Sequence, residues 1–172
     1  MRAAILTLSD KGSRGERVDE SGPALAAWLA ERGVHTVHSH VIPDEYSQIV
    51  AVLTEWGDSD LADLILTTGG TGVSPRDVTP EATMQIADRL IPGLGELMRL
   101  KSLEITPMAA LSRAVAGIRK QSLIINLPGS PKGAVENLGA IWPTIGHAVE
   151  KIRGGQDDCG GKYHYERQLK KT

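Results

Sequence analysis

Leu64-Ile65-Leu66-Thr67-Thr68-Gly69-Gly70-Thr71-Gly72 is the stretch on which the fold of this chain turns. A short apolar run of strand length ends in three glycines within four residues. The run reads as a buried strand. Glycine allows positive φ and lets a ligand approach the backbone without meeting a β-carbon. Successive N–H groups in such a turn form a concavity suited to phosphate oxygens. Thr68 and Thr71 add hydroxyls, and Arg76 adds a cation. A tight structural turn and an anion cradle both fit this pattern. The continuation, Val73-Ser74-Pro75-Arg76-Asp77-Val78-Thr79-Pro80-Glu81, predicts a helix with Thr79 as cap, Pro80 in the first turn and Glu81 near its positive end. The loop is not a Walker P-loop, because no Gly-Lys-Ser/Thr follows. It is not the dinucleotide fingerprint either, because the wider Gly-x-Gly-x-x-Gly spacing is missing.

Upstream, Arg2 to Leu8 reads as a first strand, and Ser9 to Arg17 as a polar loop. Leu25, Trp28 and Leu29 recur at helical spacing, with Gly33 placed to end that helix. Val34 to Ile42 is a second strand candidate. Asp44 is placed to cap a helix whose buried face would be Tyr46, Ile49, Val50, Leu53 and Trp56. Downstream, a helix is expected after Pro92, with Leu94, Leu97 and Met98 inward. Ala114 to Ile118 and Ser122 to Leu127 flank a polar connection and suggest a hairpin. Ser130-Pro131 then opens a long helix with Val135, Leu138, Trp142, Ile145, Val149 and Ile152 on one face, expected to kink at Pro143. After Gly154 the sequence is polar and weakly periodic. Strands alternating with helices predict one α/β domain over residues 1–153, with a largely parallel sheet, and a polar tail over 154–172.

The full chain has 172 residues, 41% of them hydrophobic, enough for one core and too few for two comfortable domains. Its formal net charge of -2 gives no support to a nucleic-acid binder, which shows a basic face. Small anions remain compatible, because local loops rather than net charge bind them. No apolar stretch is long enough to cross a bilayer, and the N-terminal run is too short for a signal peptide. The single cysteine, Cys159, excludes a disulfide framework and a cysteine metal cluster, and points to a reducing cytoplasm. With Phe absent, the core must rest on Leu, Ile, Val, Ala and Met.

In a parallel sheet, ligands gather at the loops after the carboxyl ends of strands. That rule selects the loops after Leu8, Thr68 and Leu127. The last, Asn126-Leu127-Pro128-Gly129-Ser130-Pro131-Lys132-Gly133, aims a helix N-terminus at the same edge. Asp10, Asp44 and Asp77 each follow a strand candidate, where a carboxylate can hold Mg2+ beside phosphates; a helix cap at Asp44 and a turn role at Asp77 compete with that. His35, His38, His40, His147 and His164 form no convincing metal pattern. Arg113, Arg119 and Lys120 could reach an anion, but each alone reads as a solvated surface residue.

Thr68-Gly69-Gly70-Thr71-Gly72 with Arg76-Asp77-Val78-Thr79-Pro80-Glu81-Ala82-Thr83 closely resembles the signature of the molybdopterin adenylyltransferase (MogA/MoaB-like) family of molybdenum cofactor biosynthesis. Thr7-Leu8-Ser9-Asp10 with Asp19-Glu20-Ser21-Gly22, Pro43-Asp44-Glu45, Leu111-Ser112-Arg113, Gly117-Ile118-Arg119 and Leu127-Pro128-Gly129-Ser130-Pro131 agree in order, over roughly residues 1–153. The family often has Asn where this chain has Ser130. The resemblance implies a three-layer α/β/α sandwich with a mostly parallel mixed sheet. It implies transfer of AMP from Mg-ATP to the terminal phosphate of molybdopterin, with pyrophosphate released. It also implies a cytoplasmic homotrimer, hexameric in some branches, and contact with the molybdate-inserting protein. Asp44 and Asp77 match the essential acidic positions, as catalytic residues and Mg2+ ligands. Ser9, Asp10, Thr68, Gly69, Gly70, Thr71, Gly72, Arg76, Ser112, Pro128, Gly129 and Ser130 fall on the substrate and nucleotide site. The competing expectation is a non-catalytic molybdopterin-binding or scaffolding domain of the same fold. The molybdate-inserting protein itself carries further domains, for which this chain has no room.

Overall fold

The computed structural model describes residues 1–156. Strands β1 (Arg2–Leu8), β2 (His35–Ile42), β3 (Leu64–Thr68), β4 (Arg89–Leu90), β5 (Ala116–Arg119) and β6 (Ser122–Leu127) form one sheet in the order β2-β1-β3-β6-β5-β4. The first four in that order run parallel; β5 pairs antiparallel with β6 and β4 antiparallel with β5, so β5 alone runs against the other five. β1, β3 and β6 are mostly apolar and, apart from Arg2, buried along their lengths, as expected of strands covered on both faces.

Helices cover both faces. The helices are α1 (Asp10–Ser13), α2 (Ser21–Ala30), α3 (Tyr46–Asp58), α4 (Thr79–Ile86), α5 (Pro92–Leu103) and α6 (Pro131–Ile152), with a short 3₁₀ helix at Pro107–Leu111. Alternation along β1 sends Ala3 and Ile5 into a core with Leu25, Leu94, Met98, Leu138 and Ile145, from α2, α5 and α6. Ala4, Leu6 and Leu8 point the other way, to Ile49, Leu53, Trp56, Ala82 and Ile86 from α3 and α4. The three-layer α/β/α sandwich with a mostly parallel mixed sheet is therefore what the chain forms.

The chain leaves β1 through α2 on one face to reach β2, then returns through α3 on the opposite face to β3, on the other side of β1. The ends of β1 and β3 thus flank a topological switch point, where α/β sheets open a crevice.

Four local expectations need correction. The segment Ser9 to Arg17 is not all loop: Ser9 Oγ accepts from the Gly12 amide at 3.0 Å and starts the single turn of α1. Asp44 does not cap α3; Glu45 stands at the cap position, and the Asp44 carboxylate turns to the amide of Asp10 at 3.0 Å. Thr79 does not cap α4; its hydroxyl donates to the Gly69 carbonyl at 3.0 Å. Tyr46 is exposed rather than part of the buried face of α3. Elsewhere Ser130 caps α6 as expected, accepting from Gly133 N at 3.1 Å, and α6 continues through Pro143. The expected tail beyond residue 156, with Cys159 and His164, lies outside the described residues.

Candidate active site

The loops after β1, β3 and β6 meet at one sheet edge. Gly69 has φ +107 and Gly70 φ +62, the left-handed region that β-carbons disfavour. A β-carbon on Gly69 would stand 2.3 Å from the Leu8 carbonyl oxygen, and one on Gly70 would stand 2.3 Å from Thr79 Oγ1. These positions therefore need glycine for both torsion and space. The loop after β6 closes on the same place. Thr68 Oγ1 donates to the Pro128 carbonyl at 2.7 Å, Gly69 N to the Leu127 carbonyl at 3.1 Å, and Ser21 Oγ to the Gly129 carbonyl at 2.9 Å.

Two cavities open on either side of this junction. A polar one of about 400 Å3 is walled by Ser9, Arg17, Asp19, Ser21, Asp44, Thr68, Gly69, Gly70, Asp77, Gly129 and Ser130, among others. The N-terminus of α2 is at its wall, through Ser21, and that of α6 through Pro131. A second, largely apolar cavity of about 300 Å3 is walled by Thr71, Gly72, Ile105, Met108, Leu111, Ser112, Pro128, Ser130 and Asn137, with several neighbours. Ser130 belongs to both. Its oxygen and that of Ser9 accept backbone amides, which leaves each hydroxyl proton for a ligand.

The acidic residues divide into two kinds. Asp44 Oδ2 accepts from Asp10 N, and its Oδ1 lies beside Gly70, 3.1 Å from where a β-carbon would be. Burial pushes the Asp44 carboxyl above the usual carboxylate range, with the charges of Asp10 and Asp77 adding to it. Asp77 Oδ2 accepts from Ser74 N at 2.8 Å, so the turn role expected for it is real, yet the residue also borders the polar cavity. Asp10 is held below the usual range by its hydrogen bonds to the Arg76 guanidinium, at 2.8 and 3.1 Å. Arg76 also reaches Glu45 at 2.9 Å. Asp10 and Arg76 thus pair with each other and wall neither cavity, unlike the other proposed site residues.

Among the described residues no group of three or more His, Cys, Asp or Glu could hold a metal ion. His38 packs edge-on against Trp56, ring centroids 5.1 Å apart. Mg2+ commonly takes one or two carboxylates and completes its shell with phosphates and water. The Asp44 and Asp77 pair on one polar cavity, with burial and mutual repulsion opposing charge on Asp44, fits a cation that arrives with a nucleotide.

The sequence reading missed Asp19, Ser21, Arg17 and Thr7 as parts of this site. Asp19 Oδ1 accepts from the amides of Ser21 and Gly22 at 3.0 and 3.1 Å, and its Oδ2 accepts from Thr7 Oγ1 at 2.8 Å. The Asp-Glu-Ser-Gly sequence before a helix is a capping signal that could have found it. Arg113 and Arg119 are partly exposed but do not stand free in solvent: Arg113 binds the glycine loop, and Arg119 is held by the Ile86 carbonyl and Asp58.

Fold and crevice together define a class, an α/β protein built to take phosphate-bearing small molecules at a sheet edge. Comparison with known proteins narrows that class. The model of the family described as "Probable molybdopterin binding domain" matches residues 4–147, and the chain belongs to that family. The molybdopterin adenylyltransferase of Helicobacter pylori J99 is 45% identical over 152 residues, covering 87% of this chain and 86% of that protein. The Escherichia coli K12 protein of the same name is 45% identical over 151 residues, covering 87% and 77%. The crystal structure of the molybdopterin biosynthesis enzyme MoaB from Thermus thermophilus superposes with a TM-score of 0.84 at 54% identity, over 89% of this chain and 96% of that one.

Proposed function

We propose that this protein is a molybdopterin adenylyltransferase that moves AMP from ATP to the terminal phosphate of molybdopterin and releases pyrophosphate, in molybdenum cofactor biosynthesis. The observation that carries the reading is the meeting of two cavities across one glycine-rich junction, with Asp44 and Asp77 on the polar side. Two substrates can approach each other there.

In the reaction, an oxygen of the pterin's terminal phosphate bonds to the α-phosphorus of ATP. The bond from that phosphorus to the bridging β-oxygen breaks, and its electron pair leaves with pyrophosphate. Both reactants are anions, so repulsion is a large part of the barrier. The amides of Gly70 to Gly72 and the positive end of α6 offer fixed dipoles to the phosphate oxygens. Ser9 and Ser130 offer hydroxyl donors. Two reactants seated in adjoining cavities meet as an oriented pair rather than by bimolecular encounter. Mg2+, carried by ATP and held by Asp44 and Asp77, would act as a Lewis acid on the phosphates.

The same proposal includes residues 1–153 as the catalytic domain, 154–172 as an appendage, and a cytoplasmic location, supported by the single cysteine. No helix among the described residues is long and apolar enough to cross a membrane. It also includes a homotrimer, or in the alternative a hexamer, and contact with the molybdate-inserting protein. Leu100, Leu103, Ile105, Met108 and Leu111, exposed along α5 and the 3₁₀ helix, supply apolar surface for association.

Purified protein mixed with molybdopterin and Mg-ATP should release pyrophosphate in step with adenylylated pterin. Binding of molybdopterin with no pyrophosphate released would leave a non-catalytic binding domain instead.

A further inference from the structure

Arg113 walls neither cavity, yet every nitrogen it carries is engaged at the site's edge. Its amide donates to the Thr71 carbonyl at 2.9 Å. Its Nε donates to the Gly72 carbonyl at 2.6 Å, its Nη2 donates to the Asp77 carbonyl, and its Nη1 pairs with Glu81 in the first turn of α4. The segment that carries it is held from behind: Arg99 Nη1 on α5 donates to the Ala114 carbonyl at 2.9 Å and to the Ser112 carbonyl at 3.4 Å. One guanidinium therefore spans the glycine loop from its last glycine to the acidic residue and on to the helix that follows. The planar fork of arginine spreads its donors over three nitrogens and so reaches three separated acceptors; the three donors of a lysine ammonium radiate from one nitrogen and do not span the same distance.

A cation spent on two backbone carbonyls and a carboxylate is not a phosphate ligand. Its work is done on the loop, which carries the amides of Gly70 to Gly72 and the Asp77 carboxylate past the reacting phosphates. We infer that Arg113 is a positioning residue that holds the glycine loop and Asp77 in reacting register. Its effect on turnover rests on the adenylyltransferase reading; its effect on the loop rests on these hydrogen bonds alone. Displacement of a reacting group by about an ångström costs roughly a hundredfold in rate. Partial release of the loop should therefore act on kcat while leaving ground-state binding nearly intact.

The test compares wild type with Arg113→Met and Arg113→Lys by steady-state kinetics and by hydrogen exchange of the backbone amides. For Arg113→Met, kcat should fall about tenfold to a hundredfold, with both KM values within about threefold of wild type. Exchange should quicken at residues 70–78 and stay unchanged in the strands. Arg113→Lys should recover only part of the loss. A rise in KM with unchanged kcat would make Arg113 a substrate contact and overturn the inference. So would unchanged kcat with unchanged loop exchange, or a quickening spread evenly over the chain. If Arg113→Met does not fold, Arg113→Lys carries the same comparison, with the same split expected in smaller measure. If wild type itself releases no pyrophosphate, the adenylyltransferase reading fails, and loop exchange still decides whether Arg113 holds the loop.

Discussion

The Gly69 α-carbon lies 3.2 Å from the point where a β-carbon on Gly129 would stand, so the loops after β3 and β6 touch glycine to glycine. Both glycines line the polar cavity, so the contact fixes how closely its two loops approach each other. Gly129 is not in the left-handed region, so Gly129→Ala brings no torsional strain. It should instead push the loops apart by a few tenths of an ångström. Stability should fall by about 1 kcal/mol or less, while turnover drops a few-fold to about tenfold. Parallel melting and pyrophosphate assays would decide it; a variant that loses stability but keeps full turnover would show that loop spacing does not govern the reaction.

Gly70 is the severe counterpart. Alanine there must adopt a left-handed torsion and meet Thr79 Oγ1 at 2.3 Å and Asp44 Oδ1 at 3.1 Å. Torsion alone costs about 1–2 kcal/mol, and crowding adds to it. Gly70→Ala should therefore melt several degrees below wild type and lose most of its activity. A melting temperature equal to that of wild type would mean the loop relaxes freely, against the packing described.

Asp77 has two jobs that chemistry can separate. Its Oδ2 accepts from Ser74 N, which an asparagine oxygen can also do, whereas charge toward Mg2+ or phosphate needs the carboxylate. Asp77→Asn should keep the fold and lose about 2.7–4 kcal/mol of barrier lowering, roughly a hundred- to a thousandfold in kcat. Asp77→Ala should lose the turn as well and melt lower than Asp77→Asn. If Asp77→Asn turns over at the parental rate, Asp77 is a turn residue and nothing more.

The sheet, its helices and the edge where its loops converge were legible because their signals are local: apolar strands, cap-plus-proline starts and a run of glycines. The misreadings share one cause. Asp44 and Thr79 stand where caps belong, but each found a partner outside its own helix: Asp44 the amide of Asp10, 34 residues away, and Thr79 the carbonyl of Gly69. Capping rules weigh only neighbours along the chain, and the fold offered better geometry across the sheet edge. Arg113 looked solvated for the same reason, since its acceptors lie 41 and 36 residues away. Arg76 differs in the opposite sense: a cation beside a glycine loop suggests phosphate, and in the structure it pairs with Asp10 and Glu45.

Asp44 offers the sharpest test, because its two roles pull in opposite directions. Burial raises its folded-state pKa above the ordinary value, and Asp10 and Asp77 add repulsion, against the hydrogen bond from Asp10 N. In the pH range between the ordinary and the raised values, the folded protein binds more protons here than the unfolded chain. Its contribution to stability is therefore fully present below the ordinary value and lost as pH rises through the raised one. At neutral pH the ionised group opposes folding. Asp44→Asn removes that charge and still accepts from Asp10 N, so its melting temperature should exceed that of wild type by a few degrees at pH 7. The gain should shrink as acid protonates the wild-type carboxylate. Turnover should fall at the same time, and the Mg2+ concentration needed for half-maximal rate should rise. A lower melting temperature at pH 7, or a gain that persists unchanged in acid, would mean that the buried charge is already compensated inside the protein, and the cation-seeking character assigned to this cavity would lose its physical basis.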